Sequence, residues 1–131
     1  LAGFKQTWEN DVLNAVFRNT AFTSPTTVYV GLYTAAPSDT AEGTEVSGGS
    51  YARQSVTFGA PSGNPAQISN SAAVTFPTAT ANWGTITHVA LHSASTGTGN
   101  QIAWTSLTTS KAINTDDQAT FNTGSLVVQL D

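Results

Sequence analysis

The chain has no cysteine, and only 9% of its 131 residues are charged. Without thiols there is no disulfide framework and no thiolate chemistry, so stability has to come from packing or from assembly, which suits folding in a reducing cytoplasm. With charge so far below the usual share of about 25%, the surface must be neutral and polar, rich in Thr, Ser and Gly. The four basic residues, Lys5, Arg18, Arg53 and Lys111, are scattered, and the formal net charge is −4. A basic stripe able to neutralise phosphates cannot be assembled from them, which excludes nucleic acid as a partner. No run of 18 apolar residues is present and the start carries no basic segment followed by an apolar one, so neither a membrane span nor a secretory signal is expected.

What the chain does contain is a ladder of short alternating segments. Ala73–Phe76, Thr85–Leu91, Gln101–Leu107, Ala119–Phe121 and Ser125–Leu130 each place an apolar side chain at every second position and are separated by Gly, Ser, Asn or Asp. Period-two alternation buries one face of a pleated sheet and leaves the other wet. With Thr27–Thr34, Tyr51–Phe58 and Gln67–Ser69 added, the count is about eight strands, the number of a jelly roll or a similar Greek-key sandwich. The expected architecture is one mainly β domain over residues 1–131, an antiparallel β-sandwich with a single N-terminal helix.

That helix is read over about 4–19. Phe4, Trp8, Val12 and Val16 recur every four residues, with Leu13 and Phe17 widening the stripe. Lys5 stands four residues before Glu9, and Arg18 suits the negative end of the helix dipole. An apolar face with three aromatics has to be covered, by the sheet or by a neighbouring subunit. In the strand that follows, Tyr29 and Tyr33 share one face, which either is a contact strip or is itself covered, by the helix or a second sheet. Residues 35–50, with Asp39, Glu42 and Glu45, show no periodicity and read as a long arm that reaches a neighbour. Phe4, Trp8, Tyr29, Tyr33, these three acids, Trp83 and Trp104 are therefore the candidate interface residues.

The residues that could carry chemistry do not converge. His88 and His92 share a strand face but stand about 13 Å apart, too far for one metal ion. Gly48–Ala52 resembles a nucleophile elbow in sequence, but a loop precedes Ser50 and a strand follows it, the reverse of what an elbow needs. The Asp116–Asp117 pair and the acids of the arm lack the spacing of a calcium loop. Thr96–Gly99 has glycines at dinucleotide-loop spacing without the helix that must follow. Trp83 and Trp104 could stack on sugar rings, a possible glycan contact, although such tryptophans are more often core or interface anchors. No catalytic residue, metal or cofactor is assigned.

Several segments together resemble a family of small phage structural proteins often described as tail fibre proteins. The matching stretches are Val28–Pro37 (VYVGLYTAAP), Gly49–Arg53 (GSYAR), Val74–Leu91 (VTFPTATANWGTITHVAL) and the run from Leu107 to Asp131. The resemblance implies a non-enzymatic component of a tailed-phage virion, made in the host bacterial cytoplasm, and it transfers no catalytic residue. A fibre stem needs heptads, triple β-helix repeats or collagen-like triplets, and this chain has no internal repeat. The expectation is thus a capsid decoration (cement) protein on the outer surface of the head, trimeric, with the major capsid protein and its own copies as partners. The alternative is a tail fibre, tail-tip or baseplate module that binds a host receptor or surface glycan.

Overall fold

The structure, a computed structural model, describes residues 3–130. Strand β1 (Gly3–Phe4) leads into helix α1 (Gln6–Phe17), and nine further strands follow: β2 (Val28–Ala35), β3 (Thr44–Glu45), β4 (Gln54–Val56), β5 (Ala66–Ser69), β6 (Val74–Thr75), β7 (Gly84–His92), β8 (Gln101–Ile113), β9 (Thr120–Phe121) and β10 (Val127–Leu130). Each of the alternating segments read from the sequence contains a strand. The antiparallel sandwich therefore holds, with unequal layers. One sheet runs β1-β8-β7-β2-β3, with β4 also on β2, and the ribbons β5–β10 and β6–β9 stand apart from it.

The core lies where period two puts it. Val30 pairs across from Leu91 and Leu32 from Val89, so these four share the inner face of the main sheet. Ile86, Ile113 and Val56, the last on β4 opposite Val28, extend that face, and Val74, Phe76, Trp83 and Leu126 close over it. Phe76 is the centre of this second layer: its ring stacks on Tyr51 at 6.1 Å and meets Trp83 and Phe121 edge-on at 6.5 and 6.3 Å.

Two expectations are corrected here. Residues 35–50 do not form a projecting arm: a turn closes with Ser38 N–H on Ala41 O at 2.9 Å, Thr44–Glu45 joins the main sheet as β3, and Val46 enters the core. Burial of Val46 and the two-residue pairing of Thr44–Glu45 hold the loop back, and neither is long enough to show periodicity. The helix is present but shorter than expected, and its apolar stripe does not lie on the sheet. None of its residues is fully buried; Trp8, Asn14 and Ala15 are the partly covered ones, while Val12, Leu13, Val16 and Phe17 face solvent. The helix is anchored at its N-terminus. Lys5 does not reach for Glu9; its buried ammonium donates to the carbonyls of Ser38 and Ala41 at 2.7 and 2.6 Å, and its N–H bonds Ile102 O. A cation taken out of water must keep such partners, and they anchor the chain at the residue from which α1 starts.

Candidate assembly surface and the buried polar clamp

One edge of the main sheet is finished by side chains. Along β2, the outer neighbour is β4 opposite Val28–Val30 and then β3 from Tyr33 onward. Between them the Leu32 N–H would be unpaired, a cost of roughly 1–3 kcal/mol for a buried donor. The Tyr51 hydroxyl accepts it at 2.9 Å and donates onward to Glu45 Oε2 at 2.6 Å. Glu45 in turn receives Arg53 Nε on Oε2 and Arg53 Nη2 on Oε1, at 2.8 and 2.9 Å, a bidentate pair.

The remaining Arg53 donors hold the 93–100 loop. Nη1 reaches Ala94 O at 3.0 Å and Asn100 Oδ1 at 2.9 Å, and Nη2 reaches Gly97 O at 2.8 Å. Asn100 Oδ1 also lies 2.8 Å from His92 Nδ1. Because an amide oxygen only accepts, His92 carries its proton on Nδ1, and its Nε2 accepts from the Tyr33 hydroxyl at 2.9 Å. Glu42 completes the tie: its carboxylate accepts Gly99 N–H and its carbonyl accepts from Gln101 Nε2. Two irregular segments, 42–53 and 93–101, are thereby locked to each other and to the sheet.

Gly31 makes room for this cluster. A Cβ there would stand 2.7 Å from Glu45 Oε2, 3.1 Å from His92 Nε2 and 3.2 Å from Tyr51 Oη. Gly31→Ala is accordingly expected to cost about 1–3 kcal/mol through overpacking. Chemical denaturation checks this, and an unchanged midpoint would show that the cluster can yield.

The electrostatics follow from burial. Burial would raise the Glu45 carboxyl, but hydrogen bonds from Arg53 and Tyr51 overcome it and hold the group below its ordinary 4.5. Burial, with Arg53 nearby, pushes His92 below 6.5. Burial raises Tyr33 to about 12, and Tyr51 rises for the same reason with the Glu45 carboxylate adding to it. For His92 the unfolded chain binds the extra proton, so stability is lost as pH falls below 6.5; for Glu45 it is lost as pH falls further, through the depressed folded value. For Tyr33 the loss comes above pH 10, where the unfolded phenol ionises first. A thermal-melting profile should therefore be flat between about 7 and 10 and fall on both sides. His92→Gln, which can accept from Tyr33 and donate to Asn100, should flatten the first acid step; a profile identical to the parent's refutes the assignment.

This clamp resembles a proton relay in its partners but not in its access. His92 is wholly buried, and neither the apolar groove described below nor a second cavity between Leu32, Leu107 and Phe121 is lined by His92, Asn100, Glu45 or Arg53. Among the described residues no group of three or more His, Asp or Glu is placed to hold a metal ion, and no helix is long and apolar enough to cross a membrane.

The sequence-chosen residues divide sharply. Tyr33 and Trp83 are buried, at 1% and 5% exposure, so neither can form a contact strip or a sugar platform. Tyr33 points into the clamp, and Trp83 packs on Tyr51 while its Nε1 donates to Gly49 O at 2.9 Å. Tyr29 is half-buried, opposite His92. Trp104 is half-buried against Gly3, with its Nε1 turned inward, and does not meet Trp83. Glu42 and Glu45 serve the clamp; Asp39 is exposed and its carbonyl accepts Gln6 N–H. Phe4 and Trp8 line an apolar groove of about 390 Å³ between α1 and the β5–β10 ribbon.

That groove lies beside the helix stripe, and together they form one patch. Among the described residues six large apolar side chains are exposed: Val12, Leu13, Val16, Phe17, Phe22 and Leu130. Four are on α1, and Val12, Phe22 and Leu130 also line the groove. Exposed apolar side chains scattered singly need no explanation, whereas their concentration at one place marks an interaction surface. The sequence pointed to Val12, Leu13, Val16 and Phe17 as a stripe but could not show which way it turned. It gives no signal for Phe22, and the alternation of Ser125–Leu130 puts Leu130 on the face of the buried Leu126, where the structure leaves it exposed. Arg53 stood out only as one of four cations.

The described residues thus present a β body, an internally satisfied polar cluster and an exposed apolar patch. Residues 3–129 match the family described as podophage GP4 fiber I protein gp80, and the chain belongs to that family. It is a structural protein of a phage virion. No curated protein matches the chain.

Proposed function

We propose that the chain is a non-enzymatic fibre-type module, carried on the outside of the phage particle and joined to its neighbours through the α1 patch. The observation that carries the reading is the uncovered part of the helix stripe: only Trp8, Asn14 and Ala15 of α1 are partly covered, and Val12, Leu13, Val16 and Phe17 remain 46–78% exposed. Scaled by these exposures, roughly 1–2 kcal/mol is left unrealised for each large apolar side chain that a neighbour would cover. The family's description as a fibre protein favours the tail over a decoration role on the head. A head decoration would dock the same patch on the major capsid protein, and nothing in this chain selects that partner.

Immunogold labelling of purified particles tests the location. Label on the tail is the expected result; label spread over the head surface overturns the fibre reading in favour of decoration. Particles grown with the Phe17→Asp chain should lack the protein although the isolated variant folds, because Phe17 is 78% exposed and supports nothing in the body.

A further inference from the structure

The patch contains both a protrusion and a recess. At 100° per residue, Val12, Leu13, Val16 and Phe17 occupy an arc of roughly 140° on α1. The recess begins along one border of that arc, where Trp8 and Val12 face Phe4, Phe58, Ile68 and Val128. No residue lining it is charged, so an apolar side chain entering it would strip no ion of water.

Deepening the patch reading above, on which it rests, we propose that the partner is a second copy of this chain, in a two-fold arrangement where each α1 stripe enters the other copy's groove. A protrusion and a recess of the same chemistry side by side make the patch self-complementary, which is what an isologous interface requires. The size also fits. Scaled by their exposures, the six apolar side chains offer roughly 500 Å² per copy. At the usual interface share of about 57% non-polar area this corresponds to roughly 900 Å² per partner, the size of a standard stable interface. A small apolar ligand could fill the groove but would leave Leu13, Val16 and Phe17 uncovered, since none of the three lines it.

The molar mass of the full chain by light scattering after size exclusion tests this. The wild type is expected as a dimer that dissociates on dilution; a monomer at every concentration overturns the proposal while leaving virion attachment through the patch open, which particle incorporation of Phe17→Asp decides separately. Phe17→Asp, on the stripe, and Leu130→Asp, on the groove rim, should each halve the mass with unchanged circular dichroism. Mixing these two monomers restores one of the two stripe-in-groove contacts and should return heterodimer. A wild-type dimer with no recovery on mixing means that the helices pair stripe to stripe, and it overturns the reciprocal arrangement. A stable trimer overturns it as well.

Discussion

Arg53→Ala is expected to lower the unfolding free energy by about 3 kcal/mol, the lower end of what breaking a buried ion pair costs. The lower end applies because the Arg53 side chain is 5% exposed but Glu45 is 23% exposed, so water can partly resolvate the abandoned carboxylate. Removing the guanidinium also frees the carbonyls of Ala94 and Gly97 and one acceptor position on Asn100. The loss should be local as well as global: amide exchange of the 93–100 loop and of the 42–53 segment should rise well beyond that of β7 and β2. The double variant Arg53→Ala/Glu45→Ala should be more stable than Arg53→Ala alone, because no unpaired charge remains inside. Additive single effects would show that the pair is not coupled, and unchanged exchange at 93–100 would show that the loop is held by its backbone alone.

Phe76→Ala should cost about 3–5 kcal/mol, as truncation of a fully buried aromatic does. Phe76 is 0% exposed and touches aromatic rings from three separate segments, Tyr51, Trp83 and Phe121. No single neighbour can collapse into the space it leaves, because Tyr51 is tied through its hydroxyl to Leu32 and Glu45, and Trp83 through its indole to Gly49. Against a total of roughly 5–15 kcal/mol for a domain, that is a large fraction. Urea unfolding should show a lower midpoint with an unchanged slope. Phe76→Leu, which refills most of the volume, should cost less than about 1.5 kcal/mol. Equal losses for the two variants would mean that ring shape rather than volume decides this core.

Both predictions turn on residues whose weight was unevenly legible. Phe76 belongs to an alternating segment, so its burial follows from period two. Arg53 lies in a segment with the same alternation, and nothing in its neighbours marks it as the hub of a clamp. Its partners, Glu45, Ala94, Gly97 and Asn100, come from two loops that have no periodicity at all. Tyr33 shows the reverse failure. Its place on the face opposite Leu32 is readable, but periodicity leaves a contact strip and a covered face equally open, and only His92 and the clamp decide for the second.

The sequence by itself determined the strand segments, the antiparallel sandwich, the inner face of the main sheet and the existence of an apolar helix, because these depend on short-range periodicity and on turn residues between the segments. Only the tertiary structure decided that residues 35–50 fold back, that Arg53 joins two loops, and that α1 shows its stripe to solvent. Those outcomes rest on a few long-range contacts, such as the Arg53 bonds to Glu45, Ala94, Gly97 and Asn100 and the Lys5 ammonium on the carbonyls of Ser38 and Ala41. A periodic pattern states which side of a helix is apolar, and contacts with the rest of the chain decide which way that side is turned.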